Sequence, residues 1–240
     1  MFGSRKEAGR WLARMLDVYR HDDPVVLGVL GGGLAVALEV SETLDAPLDA
    51  LVVQKLPAPG LLDLTLATLT EDGTCVRDDE LIAELGIKND ELDLRMHRQL
   101  VELKARVQRI RGDRRPMDLE GRTTILVHDG IDVGSAAEAT VMAARGRGAA
   151  RVVLATPISS REALEQLSPL VDDLVWLRSW TPVGPIGFWY QDRWDDGDDE
   201  KVAQALREHA DRVREEPLTG FSIPMGWIVS SEERALRSAR

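Results

Sequence analysis

The element order of this chain is set by residues 123–148, TTILVHDGIDVGSAAEATVMAARGRG. Residues 124–127 form a short, mostly apolar run that includes the β-branched apolar residues Ile125 and Val127, which is typical of a strand covered on both faces. Two glycines and two carboxylates follow in HDGIDVGS, residues 128–135. Small residues from Ala136 onward then have the pattern of a helix that packs closely on a sheet. The stretch therefore predicts a buried parallel strand, a turn and a helix.

The turn of this stretch is a candidate ligand site. In open α/β sheets ligands bind at the carboxyl ends of the strands, and backbone N–H groups at the next helix N-terminus hold phosphate. The acids Asp129 and Asp132 lie in the turn, and Gly134 precedes the predicted helix. The sequence therefore predicts a site for a phosphate-bearing ligand with carboxylates beside it.

The same turn resembles the ribose-5-phosphate loop of type I phosphoribosyltransferases. The family pattern is an apolar strand, two adjacent acids, three variable residues, Thr-Gly, one residue, and Thr or Ser. Asp129 matches the second acid and Gly134 matches the glycine, while Asp132 falls where many members have a further acid. The resemblance covers residues 4–210 and is to the predicted-phosphoribosyltransferase branch.

The motif is degenerate at several positions. His128 replaces the first acid, Val133 replaces the threonine, and Ala136 stands where a hydroxyl residue is usual, with Ser135 next to it. Neutral imidazole has one acceptor nitrogen and protonated imidazole has none. Because the ordinary pKa of histidine is near 6.5, we expect a ligand contact of His128 to depend on pH near neutrality.

Three further segments resemble the same family. A glycine triplet, residues 31–33, follows the first strand, where the family has Pro-Arg-Gly-Gly and binds pyrophosphate, so Leu30 and Gly31 replace the proline and arginine. QKLPAPG, residues 54–60, resembles Arg-Lys-Leu-Gly-Ala-Pro-Gly, which makes Lys55 at a strand end the best remaining cation for pyrophosphate. SWTPVGPIGFWYQDRW, residues 179–194, resembles the family's C-terminal element at Thr181, Pro182, Gly187, Trp189, Tyr190 and Asp192.

The resemblance implies a reaction with phosphoribosyl pyrophosphate (PRPP) and Mg²⁺. It implies that Asp129 holds the ribose hydroxyls, directly or through the metal, and that Asp132 is a base or stabilises an oxocarbenium-like transition state. The residues that it assigns to substrate binding are Gly31, Gly32, Gly33, Lys55, His128, Gly130, Val133, Gly134 and Ser135.

Composition limits the classes of partner. The net charge of −11 argues against a nucleic-acid partner, which usually meets a basic face. The single cysteine, Cys75, is compatible with a reducing compartment. The charged N-terminal residues do not resemble a signal peptide, and no apolar run approaches the roughly 20 residues of a membrane helix. We therefore expect a cytoplasmic protein whose ligand is a small phosphosugar or nucleotide.

The remaining pattern predicts an α/β fold with a doubly wound parallel sheet. Strands at 25–30, 48–53, 151–156 and 173–177 alternate with helices, one of them opened by a capping box at Ser159 and Glu162. A hairpin (64–69 with 75–76) and helices at 78–85 and 89–111 predict an insertion over about 61–120. We expect one phosphoribosyltransferase-like domain over 1–210 and a helical and aromatic C-terminal extension over 211–240.

The long predicted helix carries an apolar seam at Met96, Leu100, Leu103, Val107 and Ile110. This heptad-like spacing is typical either of packing on the hairpin or of a partner helix. With the apolar tail, it motivates the prediction of a homodimer. Trp11, on the first predicted helix, is expected in the core.

Two functions from different classes fit these observations. The first is a phosphoribosyltransferase that transfers ribose 5-phosphate from PRPP to an acceptor and releases pyrophosphate. The second is a catalytically weakened protein that binds a nucleotide or phosphosugar and regulates or scaffolds a partner, as suggested by the departures at Gly31, His128 and Val133. A Rossmann oxidoreductase is disfavoured because no Gly-x-Gly-x-x-Gly follows a strand.

Overall fold

A computed structural model describes residues 1–180, 185–193 and 199–215, without side-chain detail for Asp63 and residues 211–215. Its centre is a five-stranded parallel sheet. The strands are β1 (Val25–Val29), β2 (Leu48–Leu51), β6 (Thr123–Val127), β7 (Arg151–Ser160) and β8 (Asp173–Trp180). Their order is β2-β1-β6-β7-β8, so the chain winds outward in both directions from the β1–β6 pair.

Helices cover both faces of this sheet. One face packs against α1 (Arg5–Leu16), α2 (Gly32–Leu44), α4 (Asn89–Arg111) and α7 (Asp199–Glu215). The other face packs against α5 (Ser135–Gly146) and α6 (Arg161–Leu167). Short 3-10 helices span Asp17–Tyr19, Ser168–Leu170 and Ile186–Trp189. The doubly wound α/β fold predicted from the sequence is confirmed.

A second sheet combines the first strands of the predicted insertion with a strand that precedes it. It consists of β3 (Val53–Ala58), β4 (Leu61–Thr70) and β5 (Cys75–Arg77), which pair antiparallel. The short helix α3 (Asp79–Glu84) follows, capped by the Asp78 carboxylate, which accepts from the Leu81 N–H at 2.9 Å. The sequence pattern put one strand at 48–53, but the parallel strand ends at Leu51. The chain joins the second sheet at Val53 because β4 offers it a backbone partner.

Strand β7 is longer than predicted. It continues through Pro157 to Ser160 because its partner β8 also extends, to Trp180. Helix α6 is consequently capped by Ser160, whose hydroxyl accepts from the Ala163 N–H at 3.0 Å, and not by Ser159.

The apolar seam of α4 faces the chain's own interior. Leu103 and Ile110 are buried, and the other seam residues are partly buried against the same core. The packing interpretation of the seam therefore holds, and the homodimer stays a prediction without that support. The expectation for Trp11 is wrong: it is 54% exposed, because the inward stripe of α1 runs through the neighbouring Leu12 and Leu16.

Helix α7 continues to Glu215, across the predicted boundary at 210. It is anchored by His209, whose Nε2 lies 2.8 Å from the Ser41 hydroxyl oxygen on α2. Residues 216–240, and the family matches at Thr181 and Pro182, lie outside the described residues. Among the residues described, no helix has the length and apolar character needed to cross a membrane.

A buried charge network joins the insertion to the central sheet. The guanidinium of Arg111, at the end of α4, lies 2.8 Å from Glu71 Oε1 and 3.3 Å from Asp49 Oδ2. It also donates to the Ala50 carbonyl at 2.8 Å. The Arg111 and Glu71 side chains are 7% and 6% exposed. Burial raises the pKa of Glu71, against the opposing attraction of Arg111.

The raised pKa of Glu71 predicts a pH dependence of stability. The folded protein keeps the Glu71 proton to a higher pH than the unfolded chain, so this group favours folding most below its ordinary pKa of 4.5. That contribution is lost as pH rises through the folded pKa. We expect Glu71→Gln to remove this component, so that wild type loses stability relative to the variant as pH rises from 4.5. Urea denaturation over that range measures the difference.

The matched control for this experiment is Glu84→Gln, on the exposed surface of α3. The same pH-dependent difference in both variants would show that the Glu71 environment is not its source.

Candidate functional site

Two loops meet at the carboxyl ends of β1 and β6, the neighbouring strands from which the chain winds in opposite directions. Open α/β sheets bind ligands at such a switch point. The β1–α2 loop contains the glycine triplet, and the β6–α5 loop contains residues 128–134. Gly31 has a φ of 112°, a conformation that glycine adopts without steric cost.

The two loops touch so closely that two glycines are required. A Cβ at Gly32 would lie 1.9 Å from Asp129 Oδ2, and one at Gly33 would lie 2.8 Å from the Val127 carbonyl oxygen. Any side chain at either position would force α2 away from β6. The contact brings the Asp129 carboxylate to the first turn of α2, where the helix dipole favours negative charge.

Asp129 is held by a residue that the sequence did not single out. Arg5 Nε lies 2.9 Å from Asp129 Oδ2, and the Arg5 and Asp129 side chains are 9% and 21% exposed. The Arg5 Nη1 is 3.3 Å from Asp192 Oδ1, and the guanidinium carbon lies 4.4 Å from the centre of the Tyr190 ring. Ser4 caps the start of α1 by accepting from the Glu7 N–H at 3.0 Å, and the fold brings the adjacent Arg5 to the site.

Tyr190 holds the same loop from another side. Its hydroxyl donates a hydrogen bond to the Asp129 carbonyl oxygen. Burial, assisted by the Asp129 charge, raises the pKa of Tyr190, so the hydroxyl remains a donor near neutral pH. Its ring stacks on Phe2 at 5.8 Å between centroids, and Trp180 packs beside Trp189 at 5.4 Å. These aromatic residues thus build a small core under the site loop.

The middle of the β6–α5 loop is pinned to the end of β7. The Ile131 N–H donates to the Ile158 carbonyl at 3.0 Å, and the Ser160 N–H donates to the Ile131 carbonyl at 2.8 Å. The Ser160 hydroxyl donates to the Asp132 carbonyl oxygen at 2.7 Å. The Asp132 carboxylate, partly exposed, accepts from the Val133 N–H at 2.7 Å. Asp132 therefore lies at the rim of the loop on a fixed backbone.

The end of the loop forms the N-terminus of α5. Gly134 is the residue before the helix, and Ser135 is its first residue. The first N–H groups of a helix have no intrahelical acceptor, so this turn offers donors to an anion. Val133 is 65% exposed, and a Cβ at Gly130 would lie 2.5 Å from Ile186 Cγ2. The loop thus opens to solvent near Val133 and is covered near Gly130.

His128 does not occupy the position of an exposed site residue. It is buried, and its Nε2 lies 3.2 Å from the Thr140 hydroxyl oxygen on α5. Because that hydroxyl donates to the Ala137 carbonyl at 2.7 Å, His128 must be the donor, which requires the Nε2–H tautomer. Burial, with a smaller effect of the Lys55 charge, lowers the pKa of His128 to about 4. The expected titration near neutrality is therefore wrong.

Lys55 lies within β3 of the second sheet, paired with Thr68, and not at the end of a parallel strand. Its side chain is exposed, and its charge acts on His128 beneath the site loop. The second sheet therefore brings a cation to the carboxyl edge of the central sheet by a route that the sequence did not predict.

The side chains do not fit a protein-held Mg²⁺ at Asp129. One oxygen of its carboxylate, Oδ2, is occupied by the Arg5 guanidinium. Within residues 1–180, 185–193 and 199–215, no group of three or more His, Cys, Asp or Glu side chains converges to hold a metal. A magnesium ion bound to the pyrophosphate of a substrate would be substrate, not a resident cofactor.

These features define a doubly wound α/β protein with a candidate ligand site at its switch point. Residues 3–178 match the family model of the phosphoribosyl transferase domain. The chain belongs to the phosphoribosyl transferase family, as its motifs predicted.

Known relatives agree with this assignment. The chain is 36% identical over 211 residues to Mycobacterium tuberculosis proteins provisionally named phosphoribosyl transferase, covering 88% of this chain and 48% of theirs. It therefore spans about half the length of the curated relatives it matches. The crystal structure of TT1426 from Thermus thermophilus is similar, with 33% identity and a TM-score of 0.72, over 87% of this chain and 98% of that one.

The buried His128 predicts a loss of stability in acid. Its pKa is lowered in the folded state, so the unfolded chain binds a proton first as pH falls below 6.5. The contribution of His128 is full above that pH and is lost towards pH 4, a change of about 3 kcal/mol. We expect His128→Gln, which keeps an uncharged donor, to reduce the loss of unfolding free energy between pH 6.5 and pH 4, as measured by urea denaturation.

His97→Gln, on the exposed face of α4, is the control. If unfolding free energy falls equally steeply with decreasing pH in His128→Gln and in wild type, His128 is not the source of the acid sensitivity.

Proposed function

We propose that this chain is a phosphoribosyltransferase that binds PRPP at the switch point and transfers ribose 5-phosphate to an acceptor. An acceptor atom forms a bond to ribose carbon 1, and the bond from that carbon to the pyrophosphate oxygen breaks. The bonding electrons leave with pyrophosphate, and the acceptor proton passes to a base.

The observation that carries the proposal is the contact between the glycine triplet and Asp129. It brings together the starts of α2 and α5, two turns whose backbone N–H groups can bind anions, around one carboxylate. A molecule with a phosphate at one end and a pyrophosphate at the other matches that arrangement. Gly134 and Ser135 would hold the 5-phosphate through backbone amides, and residues 31–33 with Lys55 would hold pyrophosphate.

The acids have different environments, which favours different roles. Asp129 is tied to Arg5 and is suited to orient ribose hydroxyls. Asp132 is partly exposed at the rim, where its carboxylate accepts from a backbone N–H, and is suited to take the acceptor proton or stabilise an oxocarbenium-like transition state.

The second candidate is a binding protein without turnover. It is favoured by the burial of His128, which removes the usual first acid from the ligand surface, and by glycine at position 31 instead of arginine. Such a protein would hold a phosphosugar or nucleotide and act through a partner, which includes a second copy of the chain as the predicted homodimer.

PRPP separates the two candidates. We expect pyrophosphate release from PRPP with water, ammonia or a nucleobase as acceptor, and we expect Asp132→Asn to lower that rate by about 10²–10⁴-fold. Because Asp132 acts on the acceptor side, PRPP affinity measured by calorimetry should change by less than about threefold. Asp113→Asn, an exposed acid in the linker after α4, is the control.

PRPP binding without pyrophosphate release would favour the second candidate. Failure to bind PRPP at all would contradict the proposed ligand. Equal rates for wild type and Asp132→Asn would remove the role assigned to Asp132.

A further inference from the structure

The Arg5 guanidinium lies between two carboxylates at the proposed phosphosugar site. Its Nε is 2.9 Å from Asp129 Oδ2, and its Nη1 is 3.3 Å from Asp192 Oδ1. Adjacent nitrogens of one planar fork therefore bind acids from two distant loops. The Arg5 side chain is only 9% exposed, so this cation is built into the site and is not a surface charge.

The surrounding chain is shaped around this side chain. A Cβ at Gly32 would lie 2.2 Å from Arg5 Nε, so the glycine leaves the space that the guanidinium occupies. The Tyr190 ring covers its face at 4.4 Å, where a cation is attracted by the aromatic ring. The Arg5 backbone N–H also donates to Asp192 Oδ2 at 3.1 Å, which fixes Asp192 independently of the guanidinium.

We propose that Arg5 is the positioning residue of this site and its resident cation, occupying the place where a divalent metal would meet Asp129. Arg5 neutralises Asp129, fixes the orientation of its carboxylate at the ligand site, and makes ligand binding independent of a metal held by the protein. The proposal rests on the proposed phosphosugar site and specifies how that site is charged.

One consequence is that removal of Arg5 should create a metal site. Asp192 keeps its backbone hydrogen bond, so two carboxylates would face the cavity left by the guanidinium, and oxygen ligands suit a hard divalent cation. A purely structural role of Arg5 predicts that a metal bound there would not restore ligand binding.

Mn²⁺ binding to the full chain tests this consequence by the loss of the free-ion EPR signal. We expect Arg5→Ala to bind one additional Mn²⁺ per chain, and Arg5→Ala/Asp129→Asn to lose it. Wild type should bind no more Mn²⁺ than Asp129→Asn. Arg10→Ala is the matched control, because it removes the same charge from the same helix and breaks an exposed ion pair with Glu39.

Ribose 5-phosphate binding by calorimetry is the second measurement. Wild type should bind it with less than about threefold difference between EDTA and millimolar MgCl₂. Arg5→Ala should bind it about tenfold to a hundredfold more weakly in EDTA, with partial recovery in MgCl₂, because a charge-assisted contact has been removed. Arg5→Lys, which retains the charge, should gain no Mn²⁺ site.

A Mn²⁺ site in wild type that Asp129→Asn abolishes would overturn the proposal, as would tightening by MgCl₂ of about tenfold or more in wild type. A folded Arg5→Ala variant that binds no extra Mn²⁺ would also overturn the proposal. If Arg5→Ala does not melt cooperatively, Arg5→Gln is used in its place. The wild-type measurements decide the question even if no Arg5 variant folds. If ribose 5-phosphate binds under neither condition, the proposed function fails, while the Mn²⁺ result still decides the role of Arg5.

Discussion

The close approach of α2 to the end of β6 is the constraint on which the rest of the site depends. With no side chain at Gly32 or Gly33, the helix N-terminus reaches the backbone and carboxylate of the β6–α5 loop. The approach leaves room for Arg5 from α1 to enter between them. A methyl group at either glycine would overlap atoms of β6 or of the loop and would push the two turns apart.

Two buried charge groups hold distant segments of the chain together. Arg5 connects the N-terminal helix to the site loop and to Asp192, while Arg111 connects the insertion to β2 through Asp49 and Glu71. In each case one guanidinium group binds two carboxylates. These bonds are directional, so they fix the relative positions of the segments more strictly than apolar contacts would. Burial removes these charged groups from water, which is unfavourable. This desolvation raises the pKa of Glu71 even though a guanidinium lies beside it.

The departures from the family motif become intelligible in this setting. His128 turns inward to Thr140, so it stabilises the base of the loop as a neutral donor instead of presenting an acid to a ligand. The second sheet brings the charge of Lys55 to the same region, and α1 brings that of Arg5. The cations near the site therefore come from elements outside the motif.

The sequence by itself determined the strand–turn–helix of residues 123–148, the doubly wound class and the family, because hydrophobic periodicity, glycine turns and local motif spacing are properties of short stretches. It located Asp129, Asp132 and Gly134 for the same reason. Only the tertiary structure decided that Arg5 and Asp192 meet Asp129, that His128 is buried, that Lys55 belongs to a second sheet and that Trp11 faces outward. Those outcomes depend on contacts between residues far apart in the chain, on which side chains the packing leaves room for, and on which charges are removed from water together.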